Sequence, residues 1–448
     1  MARHLAVLKS LMRMFRTPMH EWKSTMKASV SLLSKTPLFE TYRQQIAVYG
    51  LLFLLFLTSV FFKYQDYQKF TQFSDYTTNA WVEKQYIKNG HWVLKMQSPE
   101  GLSFYTTSKE DLKPLEGYTV ELKLFTKGVD FLSYVRGFYA HSSILSLYPA
   151  KQKRYELMQE LESLHDDAIA PLFSALFFAG PLPKPLRDRL SALGINHLLA
   201  ISGFHVGVLS FVLFFIVRMI YRPIQGRYFP YRHGNRDSAA VVLTLLFFYL
   251  YFLDFTPSLT RAFAMSVFAY FLYDRGVKIL SFSSLLLVIS FLIALWPALL
   301  FSLGFWFSCA GVFFIFLFLH HMQGLKPWQS FLLLHLWVYA AMLPFVHYFY
   351  GSFSLHQLFS PLLTMLFILF YPLELFLHLI GQGARLDFIV HYLLSLEVSV
   401  IELFIPFWAF LLYLALSLLA IFSRYLFALL GLFCFTLLAY FFYRVAQL

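Results

Sequence analysis

The chain has 448 residues, of which 59% are hydrophobic and only 13% charged, with a mean hydropathy of +0.62. That composition excludes a soluble globular protein and a disordered one, and several runs reach the roughly 18–20 apolar residues that cross a bilayer. The net charge of +12 is concentrated: residues 1–45 hold eight Lys or Arg against two acidic residues, and residues 218–237 hold five Arg against Asp237. Both stretches flank apolar runs, where cytoplasmic Lys and Arg accumulate, so the charge reads as topology rather than as a nucleic-acid footprint.

Residues 1–45 form a basic cytoplasmic tail with internal methionines, of which Met26 is an alternative start. Ile46 to Phe62 (46–62) is a short first span. It lies behind too long a basic tail to be a cleavable secretory signal. Cys309 and Cys434 each sit inside an apolar run, and no disulfide framework is legible.

Between Asp66 and Pro149 polar and β-prone residues alternate, as in Trp92-Val93-Leu94-Lys95-Met96. Asn89-Gly90 between two such runs is a hairpin signal, and Pro99-Glu100-Gly101 and Glu116-Gly117 punctuate further strands. Some five short strands in about 85 residues predict a small barrel over 66–150, of which the OB-fold is a common example. Following an inside-to-outside span, it should face outward. Such a barrel can stack single-stranded nucleic acid on aromatic rings beside basic grooves. Trp81 and Trp92 are the candidate rings and Lys84, Lys88 and Lys95 the candidate phosphate contacts. The region carries nine basic and nine acidic residues, however, and strand aromatics often belong to a core.

Residues 151–193 read as interfacial. Leu157, Leu161 and Leu164 give 151–168 one apolar helical face, and Pro171 to Gly180 is too short to span and reads as a re-entrant hairpin. The remainder, 194–448, is a multi-span domain, with spans near 196–217, 238–254, 261–273, 279–296, 299–319, 329–348, 357–380, 404–422 and 425–443. With the first, that makes a polytopic α-helical membrane protein of about ten spans carrying a small outward-facing OB-like β-barrel domain. The alternation places 218–237, Arg275, Lys278, Lys326, Arg385 and Arg444 inside, with both termini cytoplasmic, and leaves only Arg424 outside. Asp387 to Glu402 is either an amphipathic helix or part of a span, which would change the count.

The segment Leu193–Leu209, LGINHLLAISGFHVGVL, is apolar enough for a membrane yet holds Asn196, His197, Ser202, Gly203, His205 and Gly207. Polar groups are costly in lipid and usually face protein or a water-filled path. On one helix His197 and His205, eight apart, would lie about 80° from each other on a broad common face. Gly203 and Gly207 form a GxxxG step for close helix approach. The alternative is a packed helix whose histidines bond to neighbours. Ser202 beside Gly203 also admits an intramembrane serine hydrolase, but its nearest His, at 205, is on its own helix, which is poor evidence for a dyad.

A second constellation is Asp254-Phe255-Thr256-Pro257-Ser258-Leu259-Thr260-Arg261. Pro257 breaks the helix, and Asp254 and Arg261 bracket the break, either paired across a turn or lining an aqueous cavity. Gly304-Phe305-Trp306-Phe307-Ser308 adds another polar point, and Glu374 with His378 is an i,i+4 pair. There is no HExxH, no metal-ligand set and no cofactor motif, and without a Walker A sequence any driving force must come from a partner or a gradient.

Taken together, these segments resemble the ComEC-type competence channel family, the inner-membrane DNA transporter of natural transformation. The resemblance rests on His197-Leu198-Leu199-Ala200-Ile201-Ser202-Gly203-Phe204-His205-Val206-Gly207, on Pro257-Ser258-Leu259-Thr260-Arg261-Ala262, and on Gly304 to Ser308, where Phe307 replaces a common Leu. It covers roughly residues 46–370. It implies that single-stranded DNA crosses the inner membrane through this protein, with a periplasmic DNA receptor and a cytoplasmic helicase or ATPase as partners and membrane lipid around it. The residues expected to line or shape the path are His197, Ser202, Gly203, His205, Gly207, Asp254, Pro257, Ser258, Arg261, Phe305 and Ser308. Many members carry a C-terminal metallo-β-lactamase-like domain; this chain has no HxHxDH sequence and reads as a short form with no nuclease or ATPase of its own. A small-solute transporter is the remaining alternative.

Overall fold

The computed structural model describes residues 38–88, 90–108, 115, 118–149, 153–199, 203–275 and 280–447. Its first helix, α1 (Tyr42–Thr71), begins where the Thr41 hydroxyl caps the Gln44 N–H. Only Phe70 of α1 is buried, and large apolar side chains such as Ile46, Phe53 and Phe61 stand exposed. A helix with its apolar surface uncovered suits lipid rather than water. Six described helical stretches are long and apolar enough to cross a membrane: Tyr42–Thr71, Gly203–Tyr228, Leu303–His321, Pro327–Phe349, Leu355–Leu379 and Arg424–Ala446. The sequence reading of about ten spans is therefore larger than this set. Phe282–Leu295 and Phe407–Leu419 are apolar but short, and the 238–254 and 261–273 segments lie in helices outside it.

After α1 comes a six-stranded sheet of β1 (Asp75–Lys88), β2 (His91–Gln97), β3 (Ser103–Ser108), β4 (Tyr118–Phe125), β5 (Phe138–Tyr139) and β6 (Ser142–Pro149), ordered β5-β3-β2-β1-β4-β6. Gly90, at φ 75°, turns β1 into β2 with Lys88 opposite His91, as the Asn-Gly pattern predicts, although Asn89 itself lies outside the described residues. The long β1 pairs with β4 through its first half and β2 through its second, and the β1–β2 register shifts between Val82 and Lys84. Sequence reasoning missed the last strands. β5 pairs parallel with β3, β6 antiparallel with β4, and only Ala140 and His141 separate them. Ala140 N–H donates to the Tyr105 carbonyl while Phe125 N–H donates to the His141 carbonyl, so one chain segment touches both sides of the sheet. Phe70 of α1 seats in the core with Ala80, Leu94, Met96, Phe104, Val120 and Leu122. Short α2 (Phe131–Arg136), capped by Asp130, adds Tyr134. Burial, and then the carboxylate of Glu100, to which Tyr76 donates, push the Tyr76 phenol up to about 12.

The interfacial segment folds as α3 (Lys153–Glu162), α4 (Ala170–Phe178) and α5 (Lys184–Ala192). α3 ends before Leu164, which is exposed, so its buried face is Met158 and Leu161 rather than the predicted leucine row. α4 is buried along nearly its whole length. The bundle continues with α6 (Gly203–Tyr228), α7 (Gly234–Phe252), α8 (Pro257–Asp274), α9 (Phe282–Leu295), α10 (Leu303–His321), α11 (Pro327–Phe349), β7 (Ser352–Phe353), α12 (Ser360–Leu379), α13 (Asp387–Ser395), β8 (Ile401–Glu402), α14 (Phe407–Leu419) and α15 (Arg424–Ala446).

The C-terminal part corrects the alternation. β7 pairs with β8, so α12, α13 and the chain after them leave and return to one place. α14 then descends antiparallel to α11, its Tyr413 hydroxyl donating to the Ala341 carbonyl and Phe410 stacking on Tyr348 at 4.2 Å. α15 runs parallel to α11, because Phe427 meets Trp337 and Phe441 meets His347. Lys326 and Arg424 thus share one end of the bundle and Arg444 lies at the other, whereas the sequence alternation put Lys326 and Arg444 together. The reason is the Asp387–Glu402 stretch, which carries the chain back. Ala340 and Ala341, both fully buried, let α14 and α15 pack closely here.

Candidate functional site

The predicted continuous helix over 196–217 does not form. Asn196–Leu198 is a single 3-10 turn and α6 begins at Gly203, so His197 and His205 do not share a helix face. His197 lies in that turn, its Nε2 3.3 Å from the Thr364 hydroxyl of α12. His205 is buried at 1% exposure, bonded to the Leu198 backbone and set edge-on to Phe367 and Tyr371 of α12 at 5.1 and 5.0 Å. His197 ties its turn, and His205 ties α6, to α12, and His205 faces packed rings rather than an open path. Ser202 lies outside the described residues.

The turn before α6 is pinned by Gly194. Its φ of 74° suits glycine, and a Cβ there would stand 3.1 Å from Ser360 Cβ and 3.2 Å from Gln357 Cα. Around it the Ser360 hydroxyl donates to the Gly194 carbonyl, the Ser354 hydroxyl to Ala192, and the Gln357 amide to Ser191. These long-range bonds satisfy the backbone of a non-helical stretch inside the bundle.

Three of the sequence motifs then meet. A Cβ on Gly203, first residue of α6, would touch the Ala262 methyl of α8 at 3.7 Å, whereas a Cβ on Gly207 would meet nothing within 4 Å. Gly203 alone makes the close approach. A Cβ on Gly304, in the first turn of α10, would lie 3.5 Å from Arg261 Nη2. The starts of α6 and α10 therefore flank the start of α8. None of the three has an acidic residue in its first turn, and the buried Arg261 Nε has no hydrogen-bond partner among the described residues. Helix N-termini carry partial positive charge, so the arrangement attracts an anion.

The remaining residues hold this junction in shape. Asp254 does not pair with Arg261; its Oδ2 accepts from Arg154 Nη1 of α3 at 2.8 Å, and Arg154 also donates to the Phe178 carbonyl. Asp254 and Phe255 both have φ near 50°, and this left-handed step ends α7 beside α3 and α4. Pro257 and Ser258 open α8; nothing is described of the Pro257 side chain. Phe305 is fully buried against Leu292 and Cys309, and the Ser308 hydroxyl donates back to the Gly304 carbonyl. Sequence reasoning missed Arg154, Thr364 and Tyr371, because no local spacing marks a partner on another helix.

On the sheet, Trp81 and Trp92 are half-buried, and the backbone register sets Lys84 opposite Lys95, Lys95 opposite Tyr105, and Tyr105 opposite Tyr139. The side chains of Lys84 and Lys88 lie outside what is described. The row spans four strands on one face. Among the described residues no group of three His, Cys, Asp or Glu is placed to hold a metal ion.

The sequence profile of the competence protein family matches residues 179–447. Recombination protein 2 of Haemophilus influenzae is 25% identical over 258 residues, which is 56% of this chain and 30% of that protein. The chain thus spans well under half the length of the curated relative it matches. No solved structure matches it.

Proposed function

The chain belongs to the competence protein family, and from that premise we propose that it is an inner-membrane channel conducting single-stranded DNA into the cytoplasm during natural transformation. The observation that carries the reading is the convergence of the α6, α8 and α10 starts on Arg261. A strand bearing one phosphate charge per nucleotide needs a passage with positive potential and few carboxylates. Arg261 and three helix ends supply that potential, and Asp254, seven residues before Arg261, is paired with Arg154 instead. Gly203, Ser258, Phe305 and Ser308 shape this junction, while His197 and His205 act by packing the neighbouring segment against α12.

In the same reading the protein is multi-pass, with the basic residues 1–45 and 218–237 on the cytoplasmic side and the sheet outward. The sheet is an OB-like barrel, supported by the 138–149 segment that bonds to β3 and β4 at once. A periplasmic receptor delivers the strand and a cytoplasmic helicase or ATPase draws it in. Because α15 runs parallel to α11, the C-terminus falls on the side opposite Lys326.

Arg261→Ala tests the reading, with DNA scored separately outside the inner membrane and in the cytoplasm. The expected result, at unchanged protein level, is normal external DNA and cytoplasmic DNA reduced at least about tenfold, the loss of one well-placed charge contact. Normal cytoplasmic entry with Arg261→Ala would overturn it. Ser202→Ala should leave entry intact, whereas a hydrolase would lose all activity.

A further inference from the structure

Away from Arg261, four titratable side chains form one buried row. His165, in the turn between α3 and α4, directs Nδ1 at both carboxylate oxygens of Asp387, at 2.9 and 3.0 Å, and Nε2 at His378 Nε2, at 2.8 Å. His378 Nδ1 in turn faces the Glu374 carbonyl oxygen at 2.7 Å and the Glu374 carboxylate at 3.4 Å. The His165 and Glu374 side chains are fully buried, His378 is 8% exposed and Asp387 15%. Phe173 stacks on His165 at 4.1 Å, Phe177 meets His378 edge-on, and a Cβ on Gly383 would strike the His378 ring. Among the described residues, the titratable groups near the row include the Asp166–His391 ion pair, next in sequence to His165, Tyr371, one turn before Glu374, and Tyr249, which bonds to Tyr371 and to the Phe177 carbonyl.

Hydrogens can be counted along this row. Three contacts join atoms that are all able to accept: Asp387 to His165 Nδ1, His165 Nε2 to His378 Nε2, and His378 Nδ1 to the Glu374 carbonyl. Each needs one hydrogen, for two facing lone pairs at such distances repel. Two neutral imidazoles bring only two. We propose that the row Asp387–His165–His378–Glu374 is a proton-binding and proton-transfer site that holds one proton beyond its neutral imidazoles.

Three arrangements satisfy every contact. In the first, His378 is doubly protonated and Asp387 is a carboxylate; in the second, His165 is the doubly protonated ring; in the third, both rings are neutral and Asp387 is an acid. The first becomes the second when His378 gives its Nε2 proton to His165 Nε2, and the second becomes the third when His165 gives its Nδ1 proton to Asp387; the cation and the anion then neutralise each other, and no heavy atom moves. Asp387 is the end nearest solvent. The other end reaches Glu374, whose carboxylate oxygens have no hydrogen-bond partner among the described residues, and then Tyr371, whose ring touches His205. The inference stands on this geometry alone and is independent of what the protein conducts.

The test is nitrogen-15 NMR of the histidine rings, with infrared detection of protonated carboxyls, on the full-length protein in lipid bilayers at neutral pH. Coupling between two Nε2 atoms is expected, together with either one doubly protonated ring or a protonated Asp387. Asp387→Asn is the decisive variant, because its amide supplies the third hydrogen. It should keep the ring-to-ring coupling, lose the excess-proton signal and bind one proton fewer. His378→Gln should abolish both signals. Two neutral rings beside an ionised Asp387 in the unaltered protein would overturn the proposal. So would an excess-proton signal that survives either substitution, or loss of the ring-to-ring coupling in Asp387→Asn.

Discussion

Asp254 is held by Arg154, a hundred residues earlier in the chain, and not by Arg261, seven residues later. The pairing fastens the α7–α8 turn to α3 and frees Arg261 to face the start of α10. Arg154 is 13% exposed and also donates two hydrogen bonds to the Phe178 carbonyl, whereas Asp254 is 39% exposed. Arg154→Ala should therefore cost more, about 2–3 kcal/mol, than Asp254→Ala, at about 1 kcal/mol or less after solvent screening. Thermal unfolding of the two variants in detergent gives the order, and equal losses would show that the Phe178 bonds add nothing.

How far this was legible in the sequence depended on separation along the chain. Apolar runs mark the long helices because lipid-facing composition is a local property, and Asn89-Gly90 marks its hairpin for a similar reason. The motifs around Gly203, Arg261 and Gly304 could be picked out as polar points in apolar surroundings. Their meeting could not, nor could the bond from Arg154 to Asp254 or from His165 to Asp387, whose partners are 100 and 222 residues apart. Arg424 shows the same limit. The alternation leaves it as a lone outside charge, and only the ring contacts of α15 with α11 place it at the same end of the bundle as Lys326. His205 stays open between path and packing in the sequence, because a histidine in an apolar run looks alike whether it meets water or the rings of Phe367 and Tyr371.

Gly194 and Gly207 should respond oppositely to alanine. At Gly194 the added methyl meets Ser360 and the Gln357 backbone, at a φ that costs an L-residue about 1 kcal/mol before any clash. Overpacking raises the loss to about 2–4 kcal/mol, and the 191–198 turn should lose its grip on 352–360. At Gly207 the methyl meets nothing, and the helical position gains up to about 1 kcal/mol in propensity. Melting temperatures compare them directly; a stable Gly194→Ala variant would mean that this turn relaxes freely.

On the sheet, the register sets Lys95 between Lys84 and Tyr105. Lys95→Glu removes one positive charge from this face at a half-buried strand position. If this face carries a strand, binding of single-stranded DNA should weaken several-fold and its salt dependence should fall by about one charge. Filter binding across a salt series reads both. An unchanged slope would remove Lys95 from the contact surface.

The junction of α6 and α7 carries its own acid limit. Asp237 accepts from Arg232 Nε and Nη2, each at 2.8 Å, and from the Tyr221 hydroxyl at 2.7 Å. Arg232, and then the tyrosine bond, hold its carboxyl down to about 2, against about 3.9 for a free aspartate. A carboxyl depressed in the folded state stabilises it above the unfolded value, and that contribution drains away as pH falls from about 4 towards 2. Hydrogen exchange across 229–237 should therefore stay slow down to about pH 4 and quicken below it, beyond the intrinsic change of exchange rate with pH. Asp237→Asn should exchange faster at neutral pH and lose the acid step. If the variant kept that step, the transition would belong to another group, and the Arg232–Asp237 clasp would not be what orders the α6–α7 junction.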